Sequence, residues 1–293
     1  SYAAFATCFF RLSAFLAEGI EAQTSDPSPN SDSSFHPNIK PSLNVKRRIG
    51  AIKIDGNVND EGWQNVEAAE NFCQSFPVFG VKPQVATSAK VTYDDEYLYV
   101  AMIAEDSTPS NIRVSSCARD NISSEDFMGI ILDTYGDGTR AFEIYSNAYG
   151  IQEDLFWTSS NEDGSYDLIY ETEAKITSTG WQVELKIPFK SLRFPDIPVQ
   201  NFHCSFWRSY PREVVHKYSW SAMNFYIPCP FCQFGRLKGI ENIHSAASLE
   251  LLPALVASQS ATAHPLGSAM KNETIEISPS LGVRYAVGPA TGL

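Results

Sequence analysis

The sequence predicts an all-β protein, an antiparallel β-sandwich with one short helix. Three observations carry this. First, Trp181, Val183, Leu185 and Ile187 alternate with Gln182, Glu184 and Lys186, the period-two pattern of a strand with one buried face. Second, similar short segments recur along the chain, separated by turn signals at Gly136-Asp137-Gly138, Tyr149-Gly150, Asp163-Gly164 and Thr179-Gly180. Third, apolar residues make up 43% and charged residues 19% of the 293 residues, which is enough to fill the core between two sheets.

Residues 1–23 contain apolar patches at 2–10 and 12–17, divided by Arg11. They are too short and interrupted to span a membrane, and have the form of a truncated export signal. An exported protein of the cell envelope (outer membrane or periplasm) follows from that reading. Residues 24–44 are rich in Ser, Pro, Asp and Asn and read as a disordered linker.

The domain is expected to start at Val45. Residues 52–54 form a short strand and Asp55-Gly56-Asn57 a turn. Asn59 or Asp60 caps a helix over 61–69 that turns Trp63 and Val66 inward. A hairpin follows, 89–93 and 97–104 around Asp94-Asp95-Glu96, its second strand apolar on both faces as in a central strand. Further strands are expected at 127–133, 142–147, 151–157, 168–176, 181–187, 204–210 and 218–222, with Pro188 ending the ladder of its strand. The sandwich occupies 45–245. In the extension 246–293, an apolar run at 249–256 and an alternating stretch at 275–287 have the pattern that also opens an outer-membrane β-barrel.

A net charge of −12 argues against a nucleic-acid partner, which needs a basic patch. Acidic loops instead offer hard oxygen ligands for calcium. Six cysteines are too few for a disulfide scaffold. The one close pair, Cys229 and Cys232, lies in a Pro- and Phe-rich loop with neither the strand–helix context of a redox motif nor the second pair of a zinc site. A loop disulfide or two plain thiols is expected there.

Six stretches now stand in a telling order: IKIDGNVNDEGWQ (52–64), VTYDDEYLYVAM (91–102), EDFMGIILDTYGD (125–137), NAYGIQEDLFW (147–157), GWQVELKIPFKSLRF (180–194) and FGRLKGIENI (234–243). Together they resemble the family 9 carbohydrate-binding-module-like domain, in the form found at the N-terminus of Gram-negative outer-membrane β-barrel proteins. LELLPALVAS (249–258) looks like the opening of that barrel. The resemblance covers about 45–257. It implies a sandwich of jelly-roll or immunoglobulin-like architecture, sugar held between two Trp rings in the better-known members, often bound calcium, and association with polysaccharide-degrading enzymes.

Pyranose faces stack on flat aromatic rings, and hydroxyls are read by Asn, Gln, Asp, Glu and Arg. Trp63 and Trp181 are in phase with core residues. Trp157 ends a strand beside the polar loop that holds Asn161, and Trp207 is out of phase with Cys204, Phe206 and Tyr210, hence on an outer face beside Arg208. Trp157, Trp207, Arg208 and Asn161 are therefore the candidate sugar-binding set. Asp133, Asp137 and Asp154, near Glu125 and Asp126, are the candidate calcium ligands, without EF-hand spacing. No haem or nucleotide is expected; Met102 is in phase with Leu98 and Val100 and reads as packing.

Support for catalysis is thin. Glu153 and Asp154 point to opposite faces, Glu171 and Glu173 share a solvated face, and the five histidines are scattered. The expected function is a non-catalytic polysaccharide-binding domain of a cell-envelope protein in carbohydrate catabolism. Its rivals are a domain that docks on a β-barrel without binding sugar, and part of a glycoside hydrolase.

Overall fold

The computed structural model describes residues 34–158, 161–244, 249–262, 269, 271–272 and 274–285. The expected export signal over 1–23 and residues 24–33 of the expected linker lie outside these. The chain divides into Ser1–Phe35 and His36–Leu293, and the second unit contains the fold.

Its strands are β1 (Ser42–Asn44), β2 (Lys46–Arg47), β3 (Ala68–Ala69), β4 (Cys73–Phe76), β5 (Thr87–Tyr93), β6 (Tyr97–Glu105), β7 (Phe127–Asp133), β8 (Arg140–Asn147), β9 (Gln152–Thr158), β10 (Glu162–Asp163), β11 (Glu171–Thr177), β12 (Gly180–Pro188), β13 (Phe202–Pro211), β14 (Val215–Ser219) and β15 (Gly235–Lys238). Beyond them lie β16 (Leu249–Ser258), β17 (Ala261–Thr262), β18 (Lys271–Asn272) and β19 (Glu276–Tyr285). The larger sheet runs β1-β15-β13-β7-β8-β9-β10, with β14 pairing both β13 and β4. The smaller runs β11-β12-β6-β5-β2, with β3 on β5. Among the described residues only the short β1–β15 and β2–β5 pairings are parallel.

The two sheets meet through their alternating residues. Leu98, Val100 and Met102 of β6 and Trp181, Val183, Leu185 and Ile187 of β12 pack with Met128, Ile130 and Leu132 of β7 and Phe202, Cys204 and Phe206 of β13 in one buried cluster. This is the expected sandwich, and Met102 and Trp181 take their expected places in it.

Local departures have local causes. The expected helix over 61–69 is a single 3₁₀ turn, Glu61–Trp63. Gly62 is a poor helix former, and Asn65 takes a left-handed φ of 60° that stops the turn. Residues 52–54 form no strand, because their neighbourhood bonds to side chains: Lys53 N–H donates to Asp60 and Asp55 N–H to Glu184. β11 starts at Glu171 rather than 168, and the strand expected at 218–222 is β14, shifted towards Val215. The fold also begins before Val45. Leu43 is buried, β1 pairs with β15, and Asn38 donates to the carbonyls of Glu70 and Asn71.

The outer side of the smaller sheet is latched by one carboxylate. Glu184 projects outward from β12, fully buried under residues 51–66. It accepts Trp63 Nε1–H at 2.7 Å, Asp55 N–H at 3.0 Å and Gly56 N–H at 2.9 Å. Gly56 has φ +76°, and a Cβ there would lie 2.8 Å from the Ala174 carbonyl carbon, so only glycine lets the turn come this close. Trp63 in turn packs on Tyr99 and Ala101.

Candidate functional site

Strand alternation gives the larger sheet a second, outward cluster. Phe127 and Ile131 of β7, Ala141 and Tyr145 of β8, Leu155 of β9 and Trp207 of β13 lie in it together with Ile122, Met223, Phe231 and Phe234, and Trp157 packs against its border. Register explains the neighbours. Trp207 stands opposite Gly129, Gly129 opposite Tyr145, and Tyr145 opposite Glu153. A Cβ on Gly129 would fall 1.9 Å from the Ile144 carbonyl oxygen, so the middle of this row carries no side chain.

Residues 223–234 cross this face. Phe231 meets Trp157 edge-on, ring centroids 4.7 Å apart, and Phe225 meets Trp207 edge-on at 6.1 Å. Trp207 is thereby reduced to 6% exposure while Trp157 stays half-buried. Within the loop a disulfide joins Cys229 and Cys232, one of the two outcomes expected for this pair.

A buried acid lies under the same face. Glu143 of β8 is 8% exposed, and its Oε2 accepts the Tyr145 hydroxyl at 2.6 Å. Its Oε1 has no hydrogen-bond partner among the described residues. Burial first, then the charge of Glu162, pushes the Glu143 carboxyl up to about 8. Lys217 lies over the Phe127 ring at 4.6 Å and reaches Ser209 of β13.

The candidate sugar-binding residues are thus divided. Trp157 and Trp207 share the outward cluster. Asn161 is exposed in the β9–β10 turn, where its backbone bonds to Thr158. Arg208 requires a correction: it follows Trp207 on the strand and so points to the opposite face, between the sheets. There it is fully buried and donates to Ala86 O, Thr87 Oγ1 and Glu105 O at 2.8–2.9 Å. Burial lowers its guanidinium to about 10. It ties the sheets together and is not available to a ligand.

The three candidate metal ligands are not brought together either. Asp133 is fully buried and accepts the backbone N–H groups of Tyr135, Gly136 and Gly138, shaping the β7–β8 turn. Asp137 is held by Thr139 in the same turn. Asp154 faces inward on β9, paired with Arg119 and accepting Leu168 N–H. Burial raises the Asp154 carboxyl to about 6. Among the described residues no three His, Cys, Asp or Glu side chains form a group able to hold a metal ion. These aspartates do not fit calcium, and no role is assigned to it.

Phe225, Phe231, Glu143 and Tyr145 were not singled out by sequence reasoning. Glu143 and Tyr145 carried a usable signal, since both are in phase along β8. The position of the loop over β9 and β13 had none.

Relatives can now be set beside this geometry. Exoglucanase XynX of Acetivibrio thermocellus is 30% identical over 156 residues, covering 52% of this chain and 13% of that enzyme. Endo-1,4-beta-xylanase A of Thermoanaerobacterium saccharolyticum is 31% identical over 146 residues, covering 49% of this chain and 11% of that enzyme. The chain therefore matches only a small part of either curated relative. A solved protein of Bacteroides uniformis, described there as a candidate carbohydrate-binding protein, superposes with a TM-score of 0.55 at 12% identity, covering 68% of this chain and 98% of that one. It supports the sandwich fold. The family model described as carbohydrate family 9 binding domain-like matches residues 54–210, more than half of the chain, and the chain belongs to that family.

Proposed function

We propose that this sandwich is a non-catalytic module that binds polysaccharide, of the β-1,4-linked glucan or xylan class, within an exported protein of the cell envelope. The observation that carries the reading is the aromatic face of the larger sheet. Trp157 and Trp207 lie on one side of it, with Glu162 opposite Trp157 in the β9–β10 pairing and Asn161 exposed in the turn between those strands. Flat rings bordered by planar hydrogen-bonding groups suit a pyranose. Membership of the family and the names of the two enzyme relatives support the same substrate class.

A binding role is also favoured over hydrolysis by the carboxylates. Glu153 accepts Ile122 N–H on the outward side, whereas Asp154 is turned inward to Arg119. They do not face each other across a groove, as a glycosidase pair must.

Titration calorimetry with cello- and xylo-oligosaccharides tests the reading. Saturable heat is expected, and Trp157→Ala should weaken binding by about tenfold, because it removes a ring from the aromatic face. An affinity unchanged by that substitution removes Trp157 from the site.

A second reading, association with an outer-membrane β-barrel in cis, is favoured by the ribbon β16–β19. Leu251, Pro253, Leu255 and Ala257 stand opposite Val283, Leu281, Pro279 and Ile277, so one face is wholly apolar. Leu255 is 71% and Leu281 63% exposed. The other face carries Ala254, Gly282, Ser278 and Ser280 beside Leu252 and Val256. Ten-residue strands with an apolar side and a smaller, more polar side suit a barrel wall, whose closure needs further strands. The chain is expected to co-float with phospholipid vesicles, and Leu255→Asp with Leu281→Asp should abolish this. A wild-type chain that stays in the aqueous fraction overturns this second reading.

A further inference from the structure

We infer that the rings meeting the sugar are Phe225 and Tyr226 of the loop 223–234, with Trp157 and Trp207 as the base that holds the loop in place. The inference rests on the carbohydrate reading and deepens it. Its starting point is an inversion of exposure. Trp207 is nearly covered, and what covers it is Phe225, itself 43% exposed; the next residue, Tyr226, is 86% exposed.

These rings sit on a fixed support. Asn224 N–H donates to Gln233 Oε1 at 2.8 Å, and Gln233 Nε2 donates back to Asn224 O at 3.1 Å. Tyr226 N–H donates to Asn224 Oδ1 and Ile227 N–H to Asn224 O. Ser221 Oγ donates to Gln233 O. Phe231 is inserted against Trp157, and the Cys229–Cys232 disulfide brackets this anchor just after the exposed tip. The β7–β8 turn packs alongside, with Cys232 Sγ 3.8 Å from where a Cβ on Gly138 would stand.

Two adjacent aromatic side chains in water on a backbone tied by side-chain bonds are preorganised for a flat apolar partner, so little ordering entropy opposes binding. The C–H face of a pyranose is such a partner, and the family supplies the context for it. The polar tips needed beside the ring are at hand in the Tyr226 hydroxyl and the Asn224 side chain.

The test uses the full chain and cellohexaose or xylohexaose in calorimetry. Phe225→Ala and Tyr226→Ala should each weaken binding by about tenfold, and the double variant should abolish it; thermal unfolding should be unchanged in Tyr226→Ala, whose side chain is 86% exposed, and slightly lowered in Phe225→Ala, which uncovers Trp207. Cys229→Ser should weaken binding several-fold by loosening the support. If the wild-type chain binds neither sugar, the carbohydrate reading itself fails. If the wild type binds and the double variant binds equally well, the reading stands and only this inference is overturned.

Discussion

Glu184→Ala is expected to lower the stability of the sandwich by about 4 kcal/mol, read as a drop in the denaturant midpoint at unchanged slope. Three donors converge on this carboxylate: the Trp63 indole and the Asp55 and Gly56 amides. Alanine leaves the buried Trp63 indole and Gly56 amide and the part-buried Asp55 amide without this acceptor and opens the space under residues 51–66. Burial raises the Glu184 carboxyl, while the three hydrogen bonds hold it down. The site therefore costs desolvation and recovers it through donors, which makes removal of the acceptor expensive. Glu184→Gln should lose about half as much, since one amide oxygen can still accept. In a double-mutant cycle, Trp63→Phe and Glu184→Ala should couple by at least ~1 kcal/mol. A loss below about 1 kcal/mol for Glu184→Ala would show that the latch contributes little.

Glu143→Gln should act in the opposite direction and only at high pH. The folded carboxyl is raised from 4.5 to about 8, by burial first and then by Glu162. Below the ordinary glutamate range both folded and unfolded chains hold the proton, and the group contributes nothing to a pH slope. Between the two values the folded state keeps a proton that the unfolded state releases, so stability falls as pH rises, by up to about 1.4 kcal/mol per pH unit. Above the raised value the loss is complete. Glutamine resembles the protonated acid and keeps an acceptor for the Tyr145 hydroxyl, so it removes the slope. The variant should match the wild type at pH 4.5 and exceed it by roughly 3–5 kcal/mol at pH 9. Thermal or urea unfolding across that range checks this. Equal stabilities at pH 9 would mean that Glu143 ionises freely and that its surroundings are wetter than the described packing implies.

These two carboxylates show different uses of burial. Glu184 is surrounded by donors and holds a covering segment to its sheet. Glu143 has one donor and, among the described residues, an oxygen without a partner, under the face proposed to bind sugar. The first pattern is structural. The second leaves a buried carboxyl incompletely satisfied, and burial then raises it.

Much of the fold was legible in the sequence because strand alternation has a period of two and depends only on which residues prefer water. Trp181, Val183, Leu185 and Ile187 announced β12 and its buried face, and the same phase argument put Trp207 outward on β13. It would have put Arg208 inward as well, had phase been given priority over proximity in the chain. What alternation cannot supply is which distant segment lies over a given face. Glu184 reads as one more solvated glutamate until residues 51–66 fold over it, and Trp207 as a bare platform until residues 223–234 cross it. Asp133, Asp137 and Asp154 look like a ligand set in one dimension, yet the first two shape a turn and the third pairs inward with Arg119. Composition and periodicity determined the sheets and their faces, since those follow from local sterics and solvation. The coverings, the buried charges and the presented rings were decided by tertiary contacts between segments far apart in the chain, and no local preference encodes those.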